Sequence, residues 1–435
     1  MLGLENDVVE IETLSHEGRG VASVDGKRVF IEGALSEEQV RFRYRKQRKR
    51  LSEGEVTEVL RASPDRVKPP CSYSDRCGGC SLQHLSSKHQ IGFKQKVVLE
   101  LLERFGKVQP QNIVAPIIGP TEGYRRKARL GVRYVHKKDK VLVGFREKGG
   151  HYLAEIGNCL VLDPRVGEHL IDMADVLYQL EGRESIPQIE SATGDEQVTL
   201  VIRHLKPLIE ADKKQLAELE KKYHWQVLLQ SKGPESIISL DPSVSIKPLT
   251  YQLARYNLTL EFSPTDFVQI NADVNAKLID RVIEWLALSS TDTVLDLFCG
   301  LGNFTLPIAR RVQSVIGVEG SEALVAKARD NAKLNAIQNT RFYAADLQQK
   351  MIKADWMQQS IDKILLDPPR TGAHDILPFV VGSQAKRVVY VSCNPATLAR
   401  DAGELSQQGF SLTNLGVVDM FPHTTHVETV ALFER

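Results

Sequence analysis

The sequence predicts a multidomain α/β chain with three parts: a small N-terminal β-barrel of the OB type, a central mostly β domain, and a C-terminal Rossmann-like, doubly wound domain. Three observations predict it. Five short strand-like runs crowd into the first sixty or so residues. An irregular cysteine-bearing stretch and further strand-like runs follow. From about residue 292 the rhythm changes to strand, loop, helix, which is the signature of a mainly parallel sheet.

The N-terminal runs fall at roughly 8–13, 19–24, 28–31, 39–47 and 53–61, with a turn at Asp25-Gly26 joining the second and third. Five short strands in so few residues suggest a small barrel, an architecture that often binds oligonucleotides. Within it, residues 41–50 read RFRYRKQRKR, seven basic side chains and no acidic one. Arg41, Arg43 and Arg45 alternate with Phe42 and Tyr44, the period of a strand with one basic face. A solvated face is the bland reading, and interleaved aromatics favour nucleic acid over it. Ala62-Ser63-Pro64-Asp65 and Lys68-Pro69-Pro70 then break the pattern.

Residues 88–106 read as a helix that Gly106 stops. From 121 to 262 strands alternate with a few helices, including 130–135, 141–146 and 198–203. Arg125, Arg126, Lys127 and Arg129 lie near its start. They suit phosphate contacts or a solvated strand face equally. The C-terminal strands are expected at 293–297, 314–318, 340–344, 363–366, 387–391, 412–418 and 429–433. The expected domains are 5–64, then 65–90 with 121–262, then 91–120 with 263–435.

Composition sets limits. The chain has 435 residues, 56 basic and 55 acidic, and no apolar run long enough to span a membrane. Its first residues are acidic and lack a secretory leader. A cytoplasmic location follows as the expectation, and no long unpaired apolar face argues for more than a monomer.

The chemistry-bearing residues gather at strand ends. The first C-terminal strand carries Asp296 and runs into Phe298-Cys299-Gly300-Leu301-Gly302-Asn303. Two glycines at a strand-to-helix turn let the backbone approach a ligand closely. The second strand leads to Glu319, placed to accept from two ribose hydroxyls, and the third to Asp346, placed for an adenine. The fourth leads to Asp367-Pro368-Pro369-Arg370, a rigid loop. These are the carboxyl ends of parallel strands, where open α/β sheets bind ligands. Helix capping is the alternative use of such acids, but four strand ends carry the right group together. A dinucleotide enzyme would have a third glycine, which is absent.

The fifth strand ends in Ser392-Cys393-Asn394-Pro395. A cysteine there opens onto the same cleft, whereas most lone cysteines are inert core residues. A thiolate is wanted when carbon 5 of uracil must be alkylated. Adding to carbon 6, it makes carbon 5 nucleophilic, and a base must afterwards remove the carbon 5 proton. His423, His426 and Glu428 are candidates, and chemistry alone does not choose among them.

Five motifs together resemble the signature set of the RNA uracil-5 methyltransferase family. They are Phe267-Val268-Gln269-Ile270-Asn271, the stretch from Leu295 to Gly302, Leu366-Asp367-Pro368-Pro369-Arg370, Val391-Ser392-Cys393-Asn394-Pro395, and the stretch from Met420 to Glu428. The resemblance implies a class I methyltransferase domain using S-adenosylmethionine. It implies Cys393 as nucleophile and Glu428 as base, with cofactor contacts from Gln269, Phe298, Asn303, Glu319, Asp346 and Asp367. Cys299 becomes a neighbour of the cofactor, with packing as its role.

Cys71, Cys77 and Cys80 have the spacing C-x5-C-x2-C, and Cys159 follows far downstream. Spacing alone leaves zinc and a [4Fe–4S] cluster open. The resemblance implies the iron–sulfur cluster, as a structural staple or an RNA-orienting platform. Relatives of the family act on transfer RNA or on 23S ribosomal RNA. The barrel, as a TRAM domain, together with the cysteine cluster implies 23S ribosomal RNA, in a looped or single-stranded segment from which the target uridine is flipped. A dual-site ribosomal enzyme, a transfer-RNA enzyme, an exocyclic-amine methyltransferase and a non-catalytic iron–sulfur RNA-binding protein are the competing readings. Asp-Pro-Pro-Arg and a placed thiol count against the amine chemistry.

Overall fold

The computed structural model describes residues 7–47, 51–348 and 354–435. The chain divides into two compact units, residues 1–97, 146–151 and 421–426 forming one, and residues 98–145, 152–420 and 427–435 the other. Among the described residues no helix is long and apolar enough to cross a membrane.

The first unit carries a six-stranded sheet where five strands are expected. Its strands are Asp7–Glu10, Thr13–Leu14, Gly20–Val24, Lys27–Glu32, Gln39–Lys46 and Leu51–Arg61. The expected first strand breaks in two because Ile11 turns into the core, its N–H donating to the Glu38 carbonyl at 2.9 Å. The Asp25-Gly26 turn is as expected, with φ of 49° and 73°, the doubly positive pair that a two-residue hairpin requires. Phe42, fully buried, packs with Ile31 and Val40 in the core. The face bearing Arg41, Arg43 and Arg45 is not a bare basic one. Arg41 pairs with Glu58 at 3.0 Å, Arg43 with Glu55, and Arg45 with Glu55 and with Glu32 at 3.5 Å. Glu55 and Glu58 come from the neighbouring strand Leu51–Arg61, and Glu32 from the strand beyond it. Arg48, Lys49 and Arg50 lie outside the described residues, as do Glu5 and Asn6.

The second unit holds two larger sheets. One runs in the order Ile237–Ser239, Gln226–Gln230, Val198–Arg203, Gln188–Thr193, Lys127–Val135, Lys140–Gly144. Only Val198–Arg203 and Gln226–Gln230 are parallel, and the helix Glu210–Tyr223 makes the crossover that a parallel pair needs. Leu130, Met173, Leu200 and Leu216 fill the space between sheet and helices. The nearby cations are engaged within the unit. Arg126 pairs with Asp195 and Arg129 with Glu190, while Lys127 is part-buried on the Asp266 carbonyl and Arg125 donates to the Lys127 carbonyl.

The other sheet has eight strands in the order Thr340–Ala344, Ser314–Glu319, Thr293–Leu297, Lys363–Leu366, Arg387–Ser392, Glu428–Glu434, Ser411–Val418, Asn112–Ile113. The first five are parallel. Glu428–Glu434 is antiparallel to both of its neighbours. The strands agree with expectation to within a residue at each end. Their unbroken apolar runs, such as Ile364-Leu365-Leu366, are those of strands buried on both faces. Helices Ala272–Leu286, Glu322–Leu334 and Pro395–Gln407 are capped by Asn271, Ser321 and Asn394, each accepting a backbone N–H of its first turn.

The hairpin Leu249–Leu253 with Leu258–Phe262 stands apart from both sheets. It is tied to the helix Glu322–Leu334 and its end, for Glu261 N–H donates to Asn331 at 2.8 Å and Thr259 N–H to Asn335 at 2.9 Å. It is also tied to the central sheet, Gln252 N–H donating to Asp195 at 2.7 Å.

Candidate active site

The carboxyl ends of the parallel strands open onto a cavity of about 510 Å³. Every sequence-expected cofactor residue lines it: Gln269, Phe298, Asn303, Glu319, Asp346 and Asp367. Cys393 and Glu428 line it too. Of the three candidate bases, Glu428 is the one at this cavity. His423 belongs to the first unit, where its N–H donates to the Gln90 amide oxygen at 2.9 Å and its carbonyl accepts from Ser81 and Leu82.

Local backbone geometry shapes the floor. The strand Thr293–Leu297 ends and the chain turns through Phe298 at φ 66° and Gly300 at φ 55°. Phe298 N–H and Cys299 N–H both donate to the Val318 carbonyl, at 2.8 and 3.1 Å. A Cβ at Gly300 would meet nothing within 4 Å, so the turn leaves an open cradle beside the backbone. Gly300 N–H and Ser321 N–H both donate to Glu319, at 3.2 and 3.1 Å, which fixes that carboxylate at the cavity edge. Asn303 exchanges amide hydrogen bonds with Asn275 at 2.9 Å and accepts from the Tyr251 hydroxyl at 2.9 Å.

Electrostatics favour a cation here. Burial pushes the Asp367 carboxyl up to about 8, and the nearby Asp296 and Glu319 carboxylates add to the rise. Burial likewise lifts Asp296 to about 7, against a hydrogen bond from Thr305 at 2.5 Å. Its other oxygen is buried without a partner among the described residues. Asp296, Glu319 and Asp367 lie close enough to repel one another unless protonated or given a positive partner. An open backbone cradle, fixed carboxylates for hydroxyls, an apolar lining from Phe298, Leu301 and Leu324, and a deficit of positive charge fit a sulfonium nucleoside such as S-adenosylmethionine.

Cys393 follows the strand Arg387–Ser392 and precedes the helix Pro395–Gln407. Burial pushes its thiol up to about 11, Glu428 and Asp367 push the same way, and Arg370 pulls it down. Ser392 pairs with Thr429 across the antiparallel strands, and the residues flanking that pair, Cys393 and Glu428, both line the cavity. Cys299 also lines the cavity but is buried, and burial raises its thiol well above the usual range.

Tyr251, Phe267, Gln348 and Arg370 line the cavity as well without having been expected at the cofactor. Phe267 is 70% exposed, an aromatic ring left in solvent at the start of the Phe-Val-Gln-Ile-Asn motif. Tyr251 lies on the hairpin, whose sequence gives no sign of which sheet it serves.

In the first unit, Cys71, Cys77 and Cys80 lie on an irregular stretch. The Cys71 sulfur accepts from Tyr73 N–H and the Cys77 sulfur from Gly79 N–H, each at 3.4 Å. Cys159 belongs to the second unit. Among the described residues no group of three or more His, Cys, Asp or Glu is drawn together to hold a metal ion.

Residues 86–435 match the family described as tRNA (uracil-5-)-methyltransferase. A protein of Hahella chejuensis named 23S rRNA (uracil(1939)-C(5))-methyltransferase RlmD is 49% identical, over 99% of this chain and 98% of that one. Proteins of the same name from Alcanivorax borkumensis and Legionella pneumophila are 48% and 43% identical, over 98% and 100% of this chain and 96% and 98% of theirs. Among solved structures, the Pyrococcus abyssi tRNA (uracil-54, C5)-methyltransferase in complex with S-adenosyl-L-homocysteine superposes with a TM-score of 0.74 at 24% identity, over 98% of this chain and 99% of that one. That likeness bears on the fold.

Proposed function

This chain belongs to the tRNA (uracil-5-)-methyltransferase family, and on that premise we propose that it is the S-adenosylmethionine-dependent enzyme that methylates carbon 5 of one uridine in 23S ribosomal RNA, the counterpart of position 1939 in its relatives' names. The observation that carries the mechanism is the presence of a thiol and a carboxylate, Cys393 and Glu428, in the one cavity that also holds Glu319, Asp346 and Asp367.

Bound S-adenosylmethionine supplies an electrophilic methyl group beside a positive charge. Glu319 holds ribose hydroxyls, Asp346 the adenine edge, and Gln269, Phe298 and Asn303 the remaining surface. Asp367 faces the reacting end. Cys393 adds as thiolate to carbon 6 of the uracil, leaving carbon 5 able to accept the methyl group. Glu428 then takes the proton from carbon 5, the carbon 6–sulfur bond breaks, and the thiolate is regenerated. The two groups must act from one side of the uracil, and both line the same cavity. A uracil reaches them only when flipped from its stack.

Three further readings accompany this one. The N-terminal sheet is an OB-like TRAM barrel that binds RNA. Its paired arginines exchange Glu55 and Glu58 for phosphates, a change that costs little because exposed ion pairs are worth only about 0–1 kcal/mol. Cys71, Cys77, Cys80 and Cys159 hold a [4Fe–4S] cluster that staples the polypeptide, since metal binding and folding are coupled at such sites. The protein works in the cytoplasm as a monomer, over the domains 5–64, 65–90 with 121–262, and 91–120 with 263–435.

The test is incubation with S-adenosylmethionine and 5-fluorouracil-substituted 23S ribosomal RNA, followed by a denaturing gel. Fluorine cannot leave carbon 5 as a proton, so a covalent adduct should accumulate and vanish in Cys393→Ala. An adduct with transfer RNA only keeps the chemistry and removes the substrate. No adduct with any RNA removes the thiol mechanism.

A further inference from the structure

We propose that Asp401 is a positioning residue for methyl transfer, holding the Asp367-Pro368-Pro369-Arg370 loop in register with Cys393; the proposal rests on the functional reading above. The helix Pro395–Gln407 begins two residues after Cys393, and one of its faces carries a row of contacts onto that loop. The Asn394 amide donates to the Arg370 carbonyl at 2.9 Å, and the Thr397 hydroxyl to the same carbonyl at 3.3 Å. Arg400 donates to the Thr371 carbonyl at 2.9 Å. Asp401 accepts the Ala373 N–H at 2.7 Å. Positions three and four apart share one side of a helix, so the loop is stitched along about two turns.

Asp401 is fully buried. Besides Ala373 it accepts from the Tyr390 hydroxyl at 2.6 Å and from Arg400 at 2.8 Å. Tyr390 lies on the strand that delivers Cys393. One carboxylate thus joins the nucleophile's strand, the helix behind the nucleophile, and the loop bearing Asp367 and Arg370. A buried charge is tolerated when its donors are all met, and here they come from three separate segments. There is no slack in the arrangement. Gly372 sits at φ 81°, and a Cβ there would fall 2.6 Å from Arg400 and from Asp401. Arg370 and Asp367 act on the Cys393 thiol with opposite sign, so a small shift of the loop alters how readily the thiolate forms. Misplacement of about 1 Å in a reacting constellation can cost on the order of 100-fold in rate.

The experiment uses the full chain and compares Asp401→Asn, Arg400→Met and Arg400→Lys with wild type. It measures kcat and KM on a 23S ribosomal RNA fragment, the Kd of S-adenosylmethionine, the rate of the fluorouracil adduct, and the melting temperature. Expected are a kcat and an adduct rate reduced about tenfold or more, with KM, Kd and melting temperature nearly unchanged. Arg400→Lys, which can still donate to the Thr371 carbonyl, should recover much of the loss. A folded Arg400→Met and Asp401→Asn with wild-type kcat overturn the proposal. So does a loss of kcat that merely tracks lost cofactor affinity and melting temperature. If Asp401→Asn does not fold, the exposed Arg400 variants decide alone. A wild-type chain that methylates no uridine overturns the functional reading together with this one, whereas active wild type with unaffected variants overturns this one only.

Discussion

Cys393 and Glu428 line the same cavity, each one residue beyond the Ser392–Thr429 pair that ends the register of their strands, and the Glu428 carboxylate pushes the Cys393 thiol up. A nucleophile and a base so placed can address adjacent carbons of one ring. Glu428→Gln should therefore let addition and methyl transfer proceed but hold back release. With unmodified RNA, the covalent complex should accumulate on a denaturing gel, and a wild-type release rate in this variant would move the base elsewhere.

Cys393→Ala should abolish methylation while leaving the melting temperature within a few degrees. The side chain is half-buried and contributes only a small apolar surface. Turnover by this variant above about one part in a thousand of wild type would exclude covalent catalysis, given the size of effects seen on removing nucleophiles.

The thiol should be sluggish until a positive charge arrives. With burial, Glu428 and Asp367 holding it up at about 11, alkylation of Cys393 by iodoacetamide should climb about tenfold per pH unit between pH 7 and 9. Bound S-adenosylmethionine should speed it more than S-adenosylhomocysteine, which lacks the sulfonium charge. Equal rates with both ligands would mean that the sulfonium does not act on the thiol.

Asp296 and Asp367 have raised values in the fold, about 7 and about 8 against an ordinary 3.8. The stabilisation linked to their neutral forms is whole below the ordinary value and is lost as pH rises through 7 and 8. The ligand-free protein should melt at progressively lower temperature from about pH 5 to about pH 8 and level off above it, and S-adenosylmethionine should flatten that slope. Binding near pH 7 should also release protons, seen as a dependence of the calorimetric heat on buffer ionisation enthalpy. A ligand-free melting temperature that rises over this range contradicts the assignment.

Tyr251→Phe removes one of the two donors to the Asn303 amide oxygen and leaves Asn275. A hydrogen bond of this kind is worth about 0.5–1.5 kcal/mol. Cofactor Kd should rise several-fold with kcat nearly unchanged. An unchanged Kd would show that Asn303 needs no such support.

Much of the site could be read from residue order because parallel strands announce themselves. Ser314–Glu319 and Lys363–Leu366 are apolar runs that end in or run into carboxylates lining the cavity, Glu319 and Asp367. Long-range partners were not so readable. The hairpin Leu249–Phe262 looks like another strand pair of the central domain, and the side chains that recruit it, Asn331 and Asn335, lie some seventy residues downstream. Tyr251 was missed for that reason. The alternating Arg41, Arg43 and Arg45 read as a basic face because the glutamates that neutralise them belong to strands whose register is not written locally. The break between Asp7–Glu10 and Thr13–Leu14 is not legible either, since nothing in Ile11-Glu12 tells a strand from a corner.

The sheet order has a temporal meaning. Glu428–Glu434 is made after Ser411–Val418, yet it is inserted between that strand and Arg387–Ser392. While a ribosome is still translating the last of these segments, the sheet is parted along its catalytic seam and the base is missing, although the cofactor floor around Gly300 and Glu319 has already been synthesised. On the proposed mechanism, a chain cut before Glu428 would keep the residues of the cofactor floor and lack the base.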